Sequence, residues 1–169
     1  MNMIAAVDSL GGIGLHGNLL YRIPEDMRCF KQMTYGKVVV MGHSTLRGLP
    51  HGRPLAGRTN IILTRNTDLA LDNCIICPSL TGLWHVIAPY ESDDVFVIGG
   101  ESVYTQLMDY CAKAYITKID SSMPADRFFP KIEDAAWALV HESEVKEYNG
   151  IRYSFREYKN LAVKALPLG

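Results

Sequence analysis

The chain has 169 residues, 48% of them hydrophobic and 21% charged. That suits one globular domain and excludes a disordered or collagen-like chain. Its 17 basic and 18 acidic residues leave a net charge of -1, without the basic excess of proteins that grip nucleic acid through its phosphates.

No apolar run reaches the ~20 residues of a membrane span. The N-terminal run Met1-Asn2-Met3-Ile4-Ala5-Ala6-Val7 carries no positive n-region and stops at Asp8, so it reads as a strand and not as a signal peptide. The expectation is a cytoplasmic protein with Cys29, Cys74, Cys77 and Cys111 as thiols.

Short apolar or β-branched runs predict strands over 3–7, 37–41, 60–63, 74–77, 94–98 and 114–119. Helices are expected between them, over 24–34, 44–49, 80–87 and 102–109, with Ser79 capping the third. Such alternation argues for an α/β fold with a largely parallel sheet. Cys74 and Cys77 match C-x-x-C, but on a strand an odd separation sends the two sulfurs to opposite faces, and no second pair lies nearby. Near the C-terminus, Asn149-Gly150 is a hairpin signal, because both residues tolerate positive φ. Beyond it Ile151, Tyr153 and Phe155 alternate with polar residues, predicting a half-buried antiparallel strand at the end of the sheet. Residues 1–159 are expected as one domain and 160–169, which lack a clear period, as a C-terminal tail.

Gly12-Ile13-Gly14-Leu15-His16-Gly17 matches G-x-G-x-x-G and follows a strand. The dinucleotide fingerprint needs a helix to open at those glycines. Only six residues separate Gly17 from Pro24, so the stretch reads instead as a mobile, glycine-rich lid.

Four features could carry chemistry. Asp26, Phe30 and Met33 lie at i, i+4 and i+7 of the first helix and share a face, while Glu25, Arg28, Lys31 and Gln32 take the other side. Asp26 either complements the helix dipole or serves a cationic, amidine-like heterocycle from an apolar wall. Val97-Ile98-Gly99-Gly100-Glu101-Ser102 runs from a buried strand through two glycines into a helix, which is either a tight turn or an anion site of bare N–H groups. Val40-Met41-Gly42-His43-Ser44-Thr45 repeats the pattern, with Ser44 or Thr45 as simple caps or as a second phosphate site. Arg58 and Arg65 flank one strand, each either solvated or a fork for a carboxylate or phosphate.

Taken in order, these segments resemble dihydrofolate reductase over almost the whole chain. The resemblance rests on Ile4-Ala5-Ala6, Ile13-Gly14, Ile23-Pro24-Glu25-Asp26 with Phe30-Lys31, Val40-Met41-Gly42, Gly52-Arg53-Pro54-Leu55-Ala56-Gly57-Arg58, and Asn60 to Arg65. It continues through Val97-Ile98-Gly99-Gly100 with Val103-Tyr104, Tyr115-Ile116-Thr117-Lys118-Ile119, and Asp126-Arg127-Phe128-Phe129-Pro130. An aspartate at position 26, where vertebrate members have glutamate, resembles the bacterial type. The resemblance implies a single-domain α/β fold with a mixed, mostly parallel sheet, an antiparallel C-terminal edge strand and helices on both faces.

It also implies an oxidoreductase: NADPH-dependent reduction of 7,8-dihydrofolate to tetrahydrofolate by hydride transfer to C6 with protonation at N5. Asp26 would bind the 2-amino and N3 edge of the pteridine and promote protonation at N5, supported by Thr117. Ile4, Ala6, Met27, Phe30, Leu49 and Ile98 would line the pterin and benzoyl pocket, and Arg58 would pair with the α-carboxylate of the glutamate tail. Ala6, Ile13, Gly14 and Ile98 would also contact the cofactor, and the 8–23 loop would close over the nicotinamide. Gly42, His43, Ser44 and Thr45 would meet one side of the phosphates; Gly99, Gly100, Glu101, Ser102, Val103 and Tyr104 would meet the other. Leu63 and Thr64 would also bind the cofactor, and Arg65 would face the 2′-phosphate and favour NADPH over NADH. The Gly99–Gly100 peptide is expected to be cis. The expected partners are dihydrofolate and antifolates such as trimethoprim, with no metal, nucleic acid or membrane, and the expected state is a monomer.

Departures from the family surround this pocket. Leu20-Tyr21-Arg22 replaces the usual Pro-Trp, so Tyr21 would donate through a hydroxyl in place of an indole N–H. His43 stands at a frequent arginine, Leu46 at a frequent tryptophan, and Leu49-Pro50-His51-Gly52 is one residue longer than common bacterial forms. They imply altered antifolate sensitivity. Two alternatives differ in class: a pterin or pyrimidine reductase of the same fold, disfavoured by Asp26 with Arg58, and a nucleotide- or folate-binding module without turnover.

Overall fold

The computed structural model describes residues 1–132 and 136–168. Along the chain run β1 (Asn2–Val7), β2 (Gly12–Leu15), β3 (Asn18–Leu19), α1 (Pro24–Thr34), β4 (Val38–Gly42) and α2 (His43–Gly48). There follow β5 (Thr59–Leu63), β6 (Cys74–Cys77), α3 (Leu80–Ile87), β7 (Val95–Gly99) and α4 (Glu101–Leu107). The chain then forms β8 (Lys113–Asp120), β9 (Arg127–Phe128), β10 (Trp137–Glu142), β11 (Lys146–Tyr148) and β12 (Ile151–Asn160).

The main sheet has the order β10-β12-β8-β1-β7-β4-β5-β6, with β11 pairing β12. Every pairing from β8 to β6 is parallel, whereas β12 is antiparallel to β8, β10 and β11. The sheet therefore ends antiparallel, as expected, but the strand after Asn149-Gly150 is not its outermost one. It lies between β8 and β10, and β10 forms the edge. β10 escaped the sequence reading because its outer residues, Leu139 to Glu142, are exposed and show no buried period.

The parallel strands are apolar on both faces because helices cover both. In β4, Val38 and Val40 pack with Leu83 and Trp84 of α3 and Val103 and Leu107 of α4. Val39 and Met41 join the opposite cluster, with Leu46 of α2 and Phe30 and Met33 of α1. Cys74 and Cys77 divide between the same two clusters, as the strand period requires. Ser79 caps α3 by accepting from the Gly82 N–H at 3.1 Å. Asn149 and Gly150 both adopt positive φ in the β11–β12 hairpin. The segment after β12 is docked: Leu161 N–H donates to the Ala136 carbonyl, Lys164 N–H to that of Asp109, and Leu166 packs on the core.

No helix opens at the glycine-rich stretch. β2 and β3 form a hairpin turning at His16 and Gly17, both at positive φ, and β9 pairs with β2. The lid is thus tied rather than loose. Phe129 N–H donates to the Gly11 carbonyl, and Asp126 Oδ2 accepts from the His16 N–H at 3.1 Å. Its root is Asp8, which is 1% exposed. Asp8 Oδ1 accepts from the Gly12 and Leu10 N–H groups at 2.8 and 3.0 Å, and Oδ2 from the Met123 N–H at 3.3 Å.

Asp8→Ala should lower the unfolding free energy by about 2 kcal/mol or more, because three amides lose a charged acceptor and one of them is buried. Urea denaturation measures this; a loss below about 0.5 kcal/mol would show that the loop does not hang on Asp8.

Candidate active site

α1 starts with Pro24 at its first turn, where a missing N–H costs nothing, and no side chain caps it. Glu25 and Asp26 stand in that first turn, where negative charge meets the positive helix end. Their side chains then diverge. Glu25 lies on the other side from Asp26, as its position in the helix predicts, and accepts there from Lys146 Nζ at 2.8 Å and from the Tyr153 hydroxyl at 2.6 Å. These partners hold its carboxyl below the usual range, Lys146 contributing most. Sequence pattern missed them because both lie more than a hundred residues away.

Asp26 turns inward. Its Oδ1 accepts from Thr117 Oγ1 of β8 at 2.5 Å. Burial raises its pKa above the ordinary aspartate value, and the Thr117 hydrogen bond opposes that shift. Ile4, Phe30, Leu49 and Ile98 meet in one apolar cluster beside it. Ala6 and Tyr21 pack in a third cluster with Ile23, Ile119 and Tyr153. The Tyr21 hydroxyl is buried and has no hydrogen-bond partner among the described residues. Met27 stands 43% exposed on the open side of α1. Leu46, in place of the tryptophan, is core, and the longer turn after Leu49 places His51 and Gly52 at positive φ.

At the far end of α1, Arg58 Nε donates to Thr34 Oγ1 at 3.3 Å and Nη1 to the Ala56 carbonyl at 2.7 Å. The guanidinium lies 5.7 Å from the Tyr35 ring centroid. No carboxylate pairs with it among the described residues. Thr34, which the sequence reading passed over, is thus an anchor; its Oγ1 also donates to the Phe30 carbonyl.

The two glycine-bearing strand ends adjoin. A Cβ on Gly100 would stand 3.2 Å from Thr45 Oγ1, and one on Gly42 would stand 3.2 Å from Val103 Cγ2. The Gly99–Gly100 peptide is cis, and Gly99 has φ of 124°. α2 begins after Gly42 and α4 after Gly100, neither with a side-chain cap, in contrast to α3. Ser44 and Thr45 therefore do not cap α2. Two sets of uncapped N–H groups share one rim, with His43, Glu101 and Ser102 beside them. That suits a group with two adjacent phosphates. Tyr104 is committed elsewhere: its buried hydroxyl donates to the Ile4 carbonyl at 2.7 Å. Leu63 closes β5, Thr64 follows it, and Arg65 stands exposed beyond them, without a protein partner among the described residues. Ile13 packs on the core, and Gly14 sits in β2, where a Cβ would approach the Asn18 carbonyl to 3.2 Å. No cluster of metal-ligating side chains exists among the described residues, nor any helix long and apolar enough to cross a membrane.

The family model for dihydrofolate reductase matches residues 1–160. The dihydrofolate reductase of Bacillus subtilis is 33% identical over 161 residues, spanning 94% of each chain. That of Heliothis virescens is 35% identical over 181 residues, covering 95% of this chain and 97% of its own. Among solved structures, dihydrofolate reductase from Enterococcus faecalis, complexed with NADP(H) and the compound RAB-propyl, superposes with a TM-score of 0.84 at 32% identity. That match covers 94% of this chain and 95% of that one. With the buried carboxylate, the free arginine and the paired glycine ends already in place, these matches make the chain a member of the dihydrofolate reductase family.

Proposed function

We infer that this chain reduces 7,8-dihydrofolate to 5,6,7,8-tetrahydrofolate with NADPH as its cofactor, supplying one-carbon metabolism. The observation that carries this reading is Asp26, a carboxylate on an apolar helix face, held by Thr117 and open to a ligand beside it. When bound, NADPH supplies the hydride that C6 of the substrate receives. The adjoining, uncapped starts of α2 and α4 fit its pyrophosphate, and Gly42 to Thr45 with Gly99 to Tyr104 would hold it. Ala6, Ile13, Gly14 and Ile98 would enclose the nicotinamide. Leu63, Thr64 and Arg65 would meet the 2′-phosphate.

Asp26 does two things. Its oxygens match the 2-amino and N3 donors of the pteridine, and its negative charge favours the cationic, N5-protonated substrate that accepts hydride readily. Thr117 fixes the carboxylate orientation through its hydroxyl. Ile4, Ala6, Met27, Phe30, Leu49 and Ile98 exclude water from the rings, which strengthens that electrostatic effect. Arg58, with two of its nitrogens held by Thr34 and Ala56, presents the rest of its fork to the α-carboxylate of the glutamate tail. Tyr21 offers its orphaned hydroxyl to the pterin, directly or through a water. The same pocket takes antifolates, and the Tyr21 replacement alters its fit to them.

Asp26→Asn should fold, bind NADPH and lose at least ~10²-fold in activity near neutral pH, with partial rescue at lower pH where solvent protonates N5. Wild-type activity should fall as pH rises, with an apparent pKa that belongs to the enzyme–substrate pair. Stability carries its own signature. Burial raises the folded carboxyl's pKa, so the folded state binds more protons than the unfolded state as pH climbs from the unfolded value through the folded one. Wild-type stability is therefore fullest below that window and declines across it, and Asp26→Asn should lack this decline. Near-normal turnover of the variant with an unchanged pH profile would falsify the assignment.

The two arginines should divide the ligands. Arg58→Leu should weaken dihydrofolate binding by on the order of 2–5 kcal/mol and NADPH binding much less. Arg65→Ala should instead lower the preference for NADPH over NADH. Titration of both variants with substrate and both cofactors checks this; exchanged or absent effects mean the ligands are held elsewhere.

Tyr21→Phe removes a buried hydroxyl that lacks a protein partner, so the free enzyme should lose no stability. Dihydrofolate affinity or hydride transfer should fall roughly 2–13-fold, the worth of one neutral hydrogen bond. An unchanged single-turnover rate and substrate affinity would make the hydroxyl a bystander.

A further inference from the structure

Asp26 has a second exposure, away from the Leu49 and Ile98 side of the pocket. A cleft of about 110 Å³ runs between α1 and β12, with Asp26, Thr117 and Ile4 at its inner end and Cys29 and Phe155 in its walls. Its outer end is bordered by His141 of β10 and by Arg156 and Glu157 of β12. His141 is exposed. At the ~30 Å³ that a water occupies in the liquid, the cleft has room for several. The inner end is polar enough to keep them, since Asp26 Oδ2 has no protein donor among the described residues and its two lone pairs serve a ligand N–H in front and a water behind. The outer end stays hydrophilic: Arg156 is bonded to Glu142 and to the Tyr158 hydroxyl, and Glu157 lies 3.5 Å from Lys113.

We propose that this cleft is a solvent port to Asp26, which hydrates the carboxylate from behind and keeps it in protonic exchange with bulk water while substrate and cofactor fill the front. The proposal rests on the catalytic role assigned to Asp26. A pterin on the carboxylate and a lid over the nicotinamide close the front to water, so a carboxyl buried on every side could not exchange its proton during a catalytic cycle. The cleft supplies the missing side. The groups that set the charge there are Glu25, Arg28 and Cys29 on α1, Tyr115 on β8, Tyr153, Arg156 and Glu157 on β12, His141 on β10 and Tyr104 on α4.

The test fills the port without touching a ligand-binding side chain. Cys29→Leu narrows the wall, and His141→Trp, at an exposed strand position, covers the mouth with little risk to folding. Single-turnover hydride transfer is followed against pH for the wild type, both variants and Asp26→Asn. Losing rear hydration disfavours the charged carboxylate, so the apparent pKa should move up by half a unit or more. On the alkaline limb that is about threefold more activity relative to the plateau. Cys29→Ser, which keeps the cleft open, should superpose on the wild type. If either folded filling variant superposes on the wild type, or only lowers the plateau, the port is overturned. An alkaline limb that persists unchanged in Asp26→Asn would instead overturn the role of Asp26 itself, and the two failures are distinguishable.

Discussion

An ionised carboxylate taken out of water costs several kcal/mol unless its surroundings hold it. Asp26 is held by one hydroxyl, that of Thr117, and by the positive end of α1. One short hydrogen bond does not replace a hydration shell, which is why burial still pushes the carboxyl's pKa upward. The site therefore stores an unmet demand for donors. In the proposed complex, a 2-aminopteridine would meet it with two N–H groups in one plane. The dipole and ligand readings of Asp26 are thus one arrangement: the helix end makes the charge tolerable, and the apolar face makes it reactive toward a flat cation-like ring.

The remaining groups gather because of strand order. β7 is inserted between β1 and β4, so the carboxyl ends of these strands lie side by side. In an open parallel sheet that crevice is where ligands bind. Ile4 and Ala6 come from the end of β1, Gly42 from β4, Leu63 from β5, and Ile98 and Gly99 from β7. Residues separated by a hundred positions reach one rim, and the Tyr104 hydroxyl locks it by tying α4 to the backbone of β1. Gly42, Gly99 and Gly100 are glycines for a steric reason. The two strand ends approach so closely that a Cβ on Gly42 or Gly100 would press on Val103 or Thr45.

The parts that were legible in the sequence are those whose signals are local. Five of the six parallel strands are short, mostly apolar runs because both faces are covered, β8 alone mixing in Thr117 and Lys118, and α1 and α3 carry their own punctuation in Pro24 and Ser79. Asn149-Gly150 specifies its hairpin through two positive φ values. The β2–β3–β9 sheet was not legible, since its strands are two to four residues long and are fixed by partners such as Asp8 and Asp126. Burial of Asp26 could be read from its i, i+4, i+7 face. Its Thr117 partner came from family resemblance alone, because nothing local joins residues 91 positions apart. Glu25 does lie on the other side of α1, but its partners Lys146 and Tyr153 are equally remote in sequence, and the orphaned Tyr21 hydroxyl has no sequence signature.

α1 then acts as a ruler between the two ends of the substrate. Its first turn is fixed by Glu25 to Lys146 and Tyr153, beside the β11–β12 hairpin. Its last turn is fixed to the other side of the sheet, where Thr34 receives Arg58 and the Gly36 N–H donates to the Gly57 carbonyl at 2.7 Å. Thr34 lies eight positions after Asp26, and at 1.5 Å per residue those steps span about 12 Å. A ligand with a cationic ring at one end and a carboxylate at the other meets both charges only if that length stays constant. A helix clamped at each end keeps it so more rigidly than a loop could. Phe30, halfway along on the same face as Asp26, packs in the apolar cluster between the two charges. In the proposed complex, the order of groups along α1, acid, aromatic, then the anchor of a base, would complement the order of the substrate: pterin, benzoyl ring, glutamate.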